Sequence, residues 1–344
     1  MTKIAILGYG IVGAGVDAVL REAGGFGALA VKYILDIRDL SDSRVVKDFS
    51  LVENDPEIAV VVESIGGRKA AYDFTKRALA AKKHVVTSNK ELVAENGAEL
   101  LRLAKENGVN YLFEASVGGG IPIIHPLCQC MGANVVTDIV GILNGTSNYI
   151  LTHMEREGVS FDTALKEAQK LGYAEADPSA DVDGLDCARK ICILANLAFG
   201  RHVPPVNISV EGIRGITPAH LREASKAGYA LKLLGRAHKK AGELPRVYTA
   251  PYLVPKTHPL AAVTDVFNAV VLRGSVTGDV MFYGRGAGAR PTASAVISDI
   301  LDCLRSADPL CGRGWSADPL DIAPPGDAAG FTFSNGDKMR VLDS

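Results

Sequence analysis

The fold is decided by the stretch KIAILGYGIVG, Lys3–Gly13. Four apolar residues run straight into Gly8-x-Gly10-x-x-Gly13, and IVGAGVDAVLREA continues with the small residues and apolar spacing of a closely packed helix. A lone glycine pattern of this kind says little. Placed after a strand and at the mouth of a helix, it has a physical reason. Gly8 permits a tight turn, Gly10 lets the backbone approach a pyrophosphate, and Gly13 allows the helix to lie close on the strand. The free N–H groups of the helix N-terminus, including those of Ile11 and Val12, then face the anion. The second strand reads LAVKYILDIRD and ends on Asp36 and Arg38, two residues apart. An aspartate there accepts from a ribose diol and favours NAD, whereas an arginine pairs with a 2′-phosphate and favours NADP. Both are present, so the cofactor is NADP or NAD.

Working outward, IAVVVESIGG, HVVTSNK and VNYLFEASVGGG supply further strands, with KAAYDFTKRALAAK and GAELLRLAKENG as helices between them. Strands alternating with helices predict βαβ units, a parallel sheet and function at the carboxyl ends of its strands. The pattern changes after Gly120. IVGILNGTSNYILTHMEREG reads as a strand followed by a helix, GLDCARKICILANLAFG as a strongly apolar helix, and RVYTAPYLVP and AVTDVFNAVVLRG as strands of a mixed sheet. PTASAVISDILDCLRSA reads as a helix with Pro291 in its first turn. The tail repeats SADPL at Ser306–Leu310 and Ser316–Leu320, then reads as a hairpin through Asn335-Gly336. The expected class is α/β. A Rossmann-type dinucleotide-binding domain spans 1–125 and is completed by about 285–344. An α+β domain with a mixed sheet spans 126–284 and is expected to serve substrate binding and catalysis.

The bulk numbers agree. With 344 residues and a net charge of −2 the chain has length for two cores and no basic stripe for nucleic acid or an anionic membrane. The six cysteines form no C-x-x-C pair, so they read as reduced, mostly buried thiols of a cytoplasmic protein. No G-x-S-x-G elbow or nucleophile-like cysteine is present, which argues against covalent aldehyde oxidation.

The remaining signal is LGYAEADPSADVDGLDCARK, Leu171–Lys190, with Glu175, Asp177, Asp181, Asp183 and Asp186 ahead of one lysine. On a helix Asp186 and Lys190 are i and i+4 and share a face. The residues that follow, ICILANLAF, are nearly all apolar. A lysine there is costly unless carboxylates or a cavity meet it, and such a lysine can give or take a proton. The plainer alternative is a surface pair worth a few tenths of a kcal/mol.

At this point the chain resembles the homoserine dehydrogenase family over roughly Ile4 to Ser306. The matches, in family order, are GYGIVG, VVVESIGG, VVTSNKELVA, FEASVGGGIPII, GILNGTSNYIL, LGYAEADPSADVDGLDCARK, YLVPKTHPLAAV and YGRGAGARPTASAVISDI. The resemblance implies NAD(P)-dependent interconversion of L-aspartate 4-semialdehyde and L-homoserine, a step towards threonine, methionine and isoleucine, in a short form without the regulatory module. It implies Lys190 as general acid/base and Lys90 as a second active-site lysine that also touches the cofactor. Glu175, Asp181 and Asp186 would bind substrate or hold the lysines, and Gly288 would approach the cofactor. It also implies a sodium ion on Glu114, Val117, Gly119 and Ile121, several of them through backbone carbonyls, although simple glycine-turn geometry explains that loop too. A homodimer through the second domain is implied in the same way. The alternatives are another two-domain reductase of a small polar aldehyde or ketone, and a non-catalytic dinucleotide-binding sensor.

Overall fold

A computed structural model of the chain describes residues 1–22, 29–305, 314–326 and 330–343. It divides into two compact units. The first comprises Met1–Cys130, Phe199–His202 and Ala287–Asp318, and the second Met131–Ala198, Val203–Gly286 and Pro319–Ser344.

The first unit is built on six parallel strands: β1 (Thr2–Leu7), β2 (Leu29–Leu35), β3 (Val45–Val46), β4 (Ile58–Glu63), β5 (His84–Thr87) and β6 (Tyr111–Leu112). Their spatial order is β3-β2-β1-β4-β5-β6, the doubly wound order in which the chain reverses direction between β1 and β4 and leaves a ligand crevice there. The central strands carry apolar residues on both faces because helices cover both, as parallel sheets require. One face packs Ile4, Ile6, Val60, Val62 and Val86 against Val16, Leu20, Val296 and Ile300. The last two lie on the helix Ala289–Arg305, which crosses the helix Ile11–Glu22 where Gly15 leaves room: a Cβ on Gly15 would stand 3.0 Å from Ala289 O.

The second unit holds an eight-stranded sheet. Its path runs Gly278–Arg285, Phe267–Gly274, Val136–Ile142, Tyr229–His238, Arg246–Pro255, Lys338–Val341 and Gly330–Thr332, with Ser209–Val210 added beside Arg246–Pro255. Neighbours are antiparallel except that Lys338–Val341 and Ser209–Val210 run parallel to Arg246–Pro255. Tyr229–His238 and Arg246–Pro255 are buried along nearly their whole length. The helix Leu185–Phe199 lies close on the first of these because residue 235 is glycine, whose Cβ would meet Cys187 Sγ and Ile191 Cβ at 3.0 Å.

One expectation is corrected. The tail does not return wholly to the first unit. Trp315 packs edge-on against Phe113 at 5.8 Å between ring centroids and lies over Gly97 of that unit, but from Pro319 onward the chain joins the second. Phe333 and Leu342 are buried in its two cores, and Arg236 pairs with Asp343 at 2.7 Å. The expected hairpin forms, with Gly336 at φ +91°. Of the duplicated SADPL only Ser316–Leu320 lies within the described residues. The cysteines are mostly buried, as expected: Cys128, Cys187, Cys192 and Cys303 are buried and Cys130 is exposed; Cys311 lies outside the described residues. Among the described residues no helix is long and apolar enough to cross a membrane.

The glycine loop generates a paired test. An alanine at Gly13 would drive its Cβ into Gly8 O and bring it to 3.0 Å from Ile6 Cγ2, whereas at Gly10 nothing lies within 4 Å. Thermal denaturation should show Gly13→Ala destabilised by roughly 1–3 kcal/mol and Gly10→Ala melting with the wild type. Equal melting of the two variants would refute this packing role.

Candidate active site

In the second unit the candidate residues gather where the strand Val136–Ile142 ends. Lys190 Nζ lies 2.7 Å from Asp186 Oδ2 and donates to Leu143 O, also at 2.7 Å. Lys190 is 8 % exposed and Asp186 3 %, so the pair is a buried one held at both ends. The helix Leu185–Phe199 can start here because Gly184 adopts φ +86°, with Val210 and Thr249 side chains within 3.2 Å of any Cβ it carried. One helical turn then stacks Lys190 above Asp186.

Asn144, to which the sequence reading gave no role, joins the parts. Its Oδ1 accepts from Ser147 N at 2.8 Å, capping the helix Gly145–Glu157. Its Nδ2 donates to Asp181 Oδ1 at 2.6 Å and to Asp186 Oδ2 at 2.9 Å. Both ends of the amide are thus committed, and the carboxylates sit beside a helix N-terminus that favours negative charge. The signal was available: an asparagine directly ahead of Gly-Thr-Ser is a capping residue by type and place. Thr146 Oγ1 donates to Tyr173 O at 2.6 Å, which ties the acidic loop to the same helix.

The five carboxylates therefore divide. Asp181 and Asp186 converge on Asn144. Asp183 forms a two-point pair with Arg214, at 2.5 and 3.1 Å. Asp177 accepts from Ser179 N at 3.1 Å and turns the loop. Glu175 stands exposed, its carbonyl accepting from the Gln169 side chain at 3.1 Å.

In the first unit Gly8 has φ +83°, and a Cβ there would stand 2.8 Å from Ser64 O. Gly10 faces open space, the room a pyrophosphate needs beside the backbone. Ile11 is exposed at the first position of the helix Ile11–Glu22, and Val12 packs on the core. Asp36 and Arg38, alternatives in the sequence, form one unit here. Arg38 Nε and Nη2 donate to Asp36 Oδ1 and Oδ2 at 2.9 and 2.8 Å, and Tyr9 N donates to Oδ2 at 2.7 Å. The guanidinium, against the opposing effect of burial, holds Asp36 well below the usual carboxylate range. Gly288, at φ +119° and exposed, accepts from Thr292 N at the start of the helix Ala289–Arg305. Lys90 is half-buried and opens the helix Lys90–Asn107, directly after its cap Asn89.

The Glu114 loop differs from a side-chain metal site. Glu114 Oε1 accepts from Ile123 N and Ile124 N at 2.6 and 2.9 Å, and Oε2 from His125 N at 2.6 Å. Burial pushes its carboxyl up, opposed by these three N–H groups. Gly118 and Gly119 both take positive φ, +77° and +55°. With the carboxylate committed, a cation on Glu114, Val117, Gly119 and Ile121 would be held by main-chain oxygens, a donor set that fits a hard ion. Among the described residues no group of three His, Cys, Asp or Glu side chains is placed to hold a metal.

Comparison with known proteins decides the family. The profile of homoserine dehydrogenase matches residues 122–301, and that of its NAD-binding domain matches residues 8–114. The chain belongs to the homoserine dehydrogenase family. The homoserine dehydrogenase of Synechocystis sp. is 47 % identical over 317 residues, covering 88 % of this chain and 73 % of its own. The solved homoserine dehydrogenase of Thiobacillus denitrificans superposes with a TM-score of 0.87 at 38 % identity, covering 94 % of this chain and 79 % of its own. A hyperthermophilic archaeal homoserine dehydrogenase, solved in complex with NADPH, gives 0.75 at 30 % identity over 88 % of this chain and 97 % of its own. The family is one of NAD(P)-dependent oxidoreductases, so neither a different reductase nor a non-catalytic sensor is favoured.

For a homoserine dehydrogenase, Asn144 is the residue whose loss should separate substrate from cofactor. Asn144→Ala removes a cap worth ~1 kcal/mol and the shared donor of Asp181 and Asp186. Steady-state kinetics should show kcat/KM for homoserine lowered ~10-fold or more, as expected when the buried Asp186 and the half-buried Asp181 lose a donor, with the cofactor KM unchanged. An unaltered homoserine kcat/KM would remove Asn144 from the site.

Proposed function

We propose that Lys190 is the proton donor and acceptor in the NAD(P)-dependent interconversion of L-aspartate 4-semialdehyde and L-homoserine. The observation that carries this reading is the buried ammonium fixed between Asp186 Oδ2 and Leu143 O, each at 2.7 Å. NAD(P), when bound, supplies or takes the hydride. The chain's own work is the proton and the placement. Two of the three Nζ protons are set by Asp186 and Leu143, and the third is the one Lys190 gives to the aldehyde oxygen during reduction. In oxidation neutral Nζ takes the alcohol proton. The ammonium also stabilises the alkoxide as it develops, in surroundings where water does not screen it. Asp181 and Asp186 offer counter-charge to the substrate's α-ammonium and keep Lys190 placed, and Glu175 joins them from the exposed part of the same loop. This is positioning rather than redox chemistry.

Lys90, by its place after β5 in the nucleotide-binding unit, is assigned as the lysine that touches the cofactor and as the second active-site lysine. Gly8, Gly10, Ile11, Val12 and Gly13 would hold the pyrophosphate, Asp36 and Arg38 the adenosine ribose, and Gly288 would approach the same nucleotide. Sodium would order the Glu114–Ile121 loop through main-chain carbonyls without entering the hydride step. The same reading extends to a homodimer through the second unit and a cytoplasmic place of action.

The test is Lys190→Met. Turnover of homoserine should fall by roughly 10²–10⁴-fold, the usual worth of a general acid/base, while NADPH affinity measured without substrate stays put. Near-normal kcat in the folded variant would overturn the assignment.

A further inference from the structure

Among the buried carboxylates that the mechanism does not use is Glu63, the last residue of β4, which is 0 % exposed. It stands where β4 leaves the sheet beside β1, and its two oxygens reach into two different loops. Oε1 accepts from Ile65 N at 2.7 Å. Oε2 meets Thr87 Oγ1 at 2.5 Å. An ionised carboxylate has no hydrogen to give, so Thr87 Oγ1 donates to Glu63. The same oxygen accepts from Asn89 N at 2.9 Å. Asn89 carries the connection further. Its Nδ2 donates to Ile65 O and Gly67 O at 3.2 and 2.7 Å, and its Oδ1 accepts from Leu92 N at 3.1 Å, capping the helix Lys90–Asn107. On the other side Ser64 Oγ donates to Leu7 O and Gly8 O at 3.0 and 2.8 Å. A continuous string therefore runs from the glycine loop through Ser64, Glu63, Thr87 and Asn89 to the helix that begins at Lys90.

We propose that Glu63 is a positioning residue for the cofactor: its carboxylate locks the 64–67 loop to the 87–90 turn and thereby fixes the rim of the nucleotide site beside the glycine loop. The proposal rests on the nucleotide role of this unit and not on the roles of Lys90 or Lys190.

Both oxygens face donors, so the lock needs an acceptor at each. A glutamine supplies only one: its amide nitrogen opposes either the Ile65 N–H or the Thr87 hydroxyl hydrogen. Protonation of Glu63 weakens the lock in the same sense, because a proton on either oxygen turns an acceptor that faces a donor into a hydroxyl. Burial, opposed by the bonds from Thr87, Ile65 and Asn89, pushes the Glu63 carboxyl up to about 7. The ionised lock is therefore present above that pH and lost as the pH falls through it. The ionisable group facing Glu63 is Tyr111 on β6, itself fully buried and pushed up by that burial and by Glu63. Leu7 and Thr87 are the residues paired with Glu63 on β1 and β5. Lys3 and His84, on those strands, pair with Ile58 and Val60 towards the other end of β4. On the helix Lys69–Ala80, Lys69 and Asp73 are exposed, Lys76 pairs with Glu99, and Arg77 pairs with Glu53. On the helix Ala289–Arg305, Asp299 accepts from Glu114 N.

The experiment is titration of NADPH fluorescence without amino-acid substrate, on wild type, Glu63→Gln, Thr87→Val and Thr87→Ser, each checked for folding by its melting curve. Glu63→Gln and Thr87→Val should bind NADPH ~10-fold or more weakly, the cost of an unpaired buried donor. Thr87→Ser keeps the hydroxyl and should stay within about twofold of wild type. Wild-type affinity should weaken as the pH falls through about 7 more steeply than that of Glu63→Gln. If Glu63→Gln fails to fold, the two Thr87 variants decide. The proposal is overturned if the folded Glu63 and Thr87→Val variants bind as wild type does, if serine is as poor as valine, or if the pH dependence is the same with and without Glu63. Because no substrate is present, failure here leaves the Lys190 reading standing, and failure of Lys190 as acid/base leaves this one standing.

Discussion

A buried ammonium is tolerable only when its lost hydration is replaced, and the second unit is arranged around that requirement at Lys190. Taking one partner from a buried ion pair costs roughly 3–5 kcal/mol, so Asp186 and the Leu143 carbonyl are conditions for the helix Leu185–Phe199 to lie where it does. The conditions propagate. Leu143 O is available only because the strand ends at Ile142 and the next helix begins at Gly145 under the Asn144 cap. The cap amide then turns its other end to Asp181 and Asp186. Gly184 and Gly235 are the backbone terms of the same arrangement, one letting the helix start and the other letting it approach the sheet.

The nucleotide-binding unit solves the opposite problem. Three of its buried carboxylates are met by hydroxyl and main-chain donors: Glu63 by Thr87 and Ile65 N, Glu114 by three successive N–H groups, Asp299 by Glu114 N. Such bonds fix where a loop runs rather than adding net charge. That suits a site whose ligand is an anion recognised by backbone N–H groups, because the donors stay in place while the ligand comes and goes. The cost is visible at Glu63. Raising a carboxyl from its ordinary range to about 7 corresponds to ~3 kcal/mol against the ionised form. Its folded form binds a proton more tightly than the unfolded chain does, so this contribution to stability declines as the pH rises towards 7.

Sequence reading recovered what repeats a simple rule and missed what depends on contacts far along the chain. The parallel strands, the glycine loop, the i,i+4 pairing of Asp186 with Lys190 and the hairpin at Asn335-Gly336 all follow from local spacing. YALKLLGRAH, the strand Tyr229–His238, gave no strand signal because Lys232 and Arg236 interrupt it. Both are buried, one donating to Val263 O and Asn148 Oδ1, the other paired with Asp138 and Asp343. The partners that make these charges tolerable lie more than thirty residues away for Val263 and more than a hundred for Asp343. The same distance hid the tail's place in the second sheet. Glu63 was quoted in VVVESIGG without a role, since nothing local distinguishes a strand-end glutamate in solvent from one locked to Thr87.

Asp36 and Arg38 show how far residue types alone carry a selectivity argument. Treated separately, one recommends a ribose diol and the other a 2′-phosphate. In the structure each is the other's partner, through two charge-assisted hydrogen bonds. A diol must then compete with a guanidinium for the carboxylate, and a phosphate must compete with the carboxylate for the guanidinium. The two sides are not equally free to yield. The Asp36 side chain is 6 % exposed and also holds Tyr9 N of the glycine loop, whereas that of Arg38 is 56 % exposed. Moving the carboxylate would disturb the glycine turn through Tyr9 N, so Arg38 is the member that can rotate away. On the proposed placement of the ribose at Asp36 and Arg38, selectivity between the two nucleotides would be a property of the pair, set by what the guanidinium gains on leaving Asp36, and neither residue taken singly would determine it.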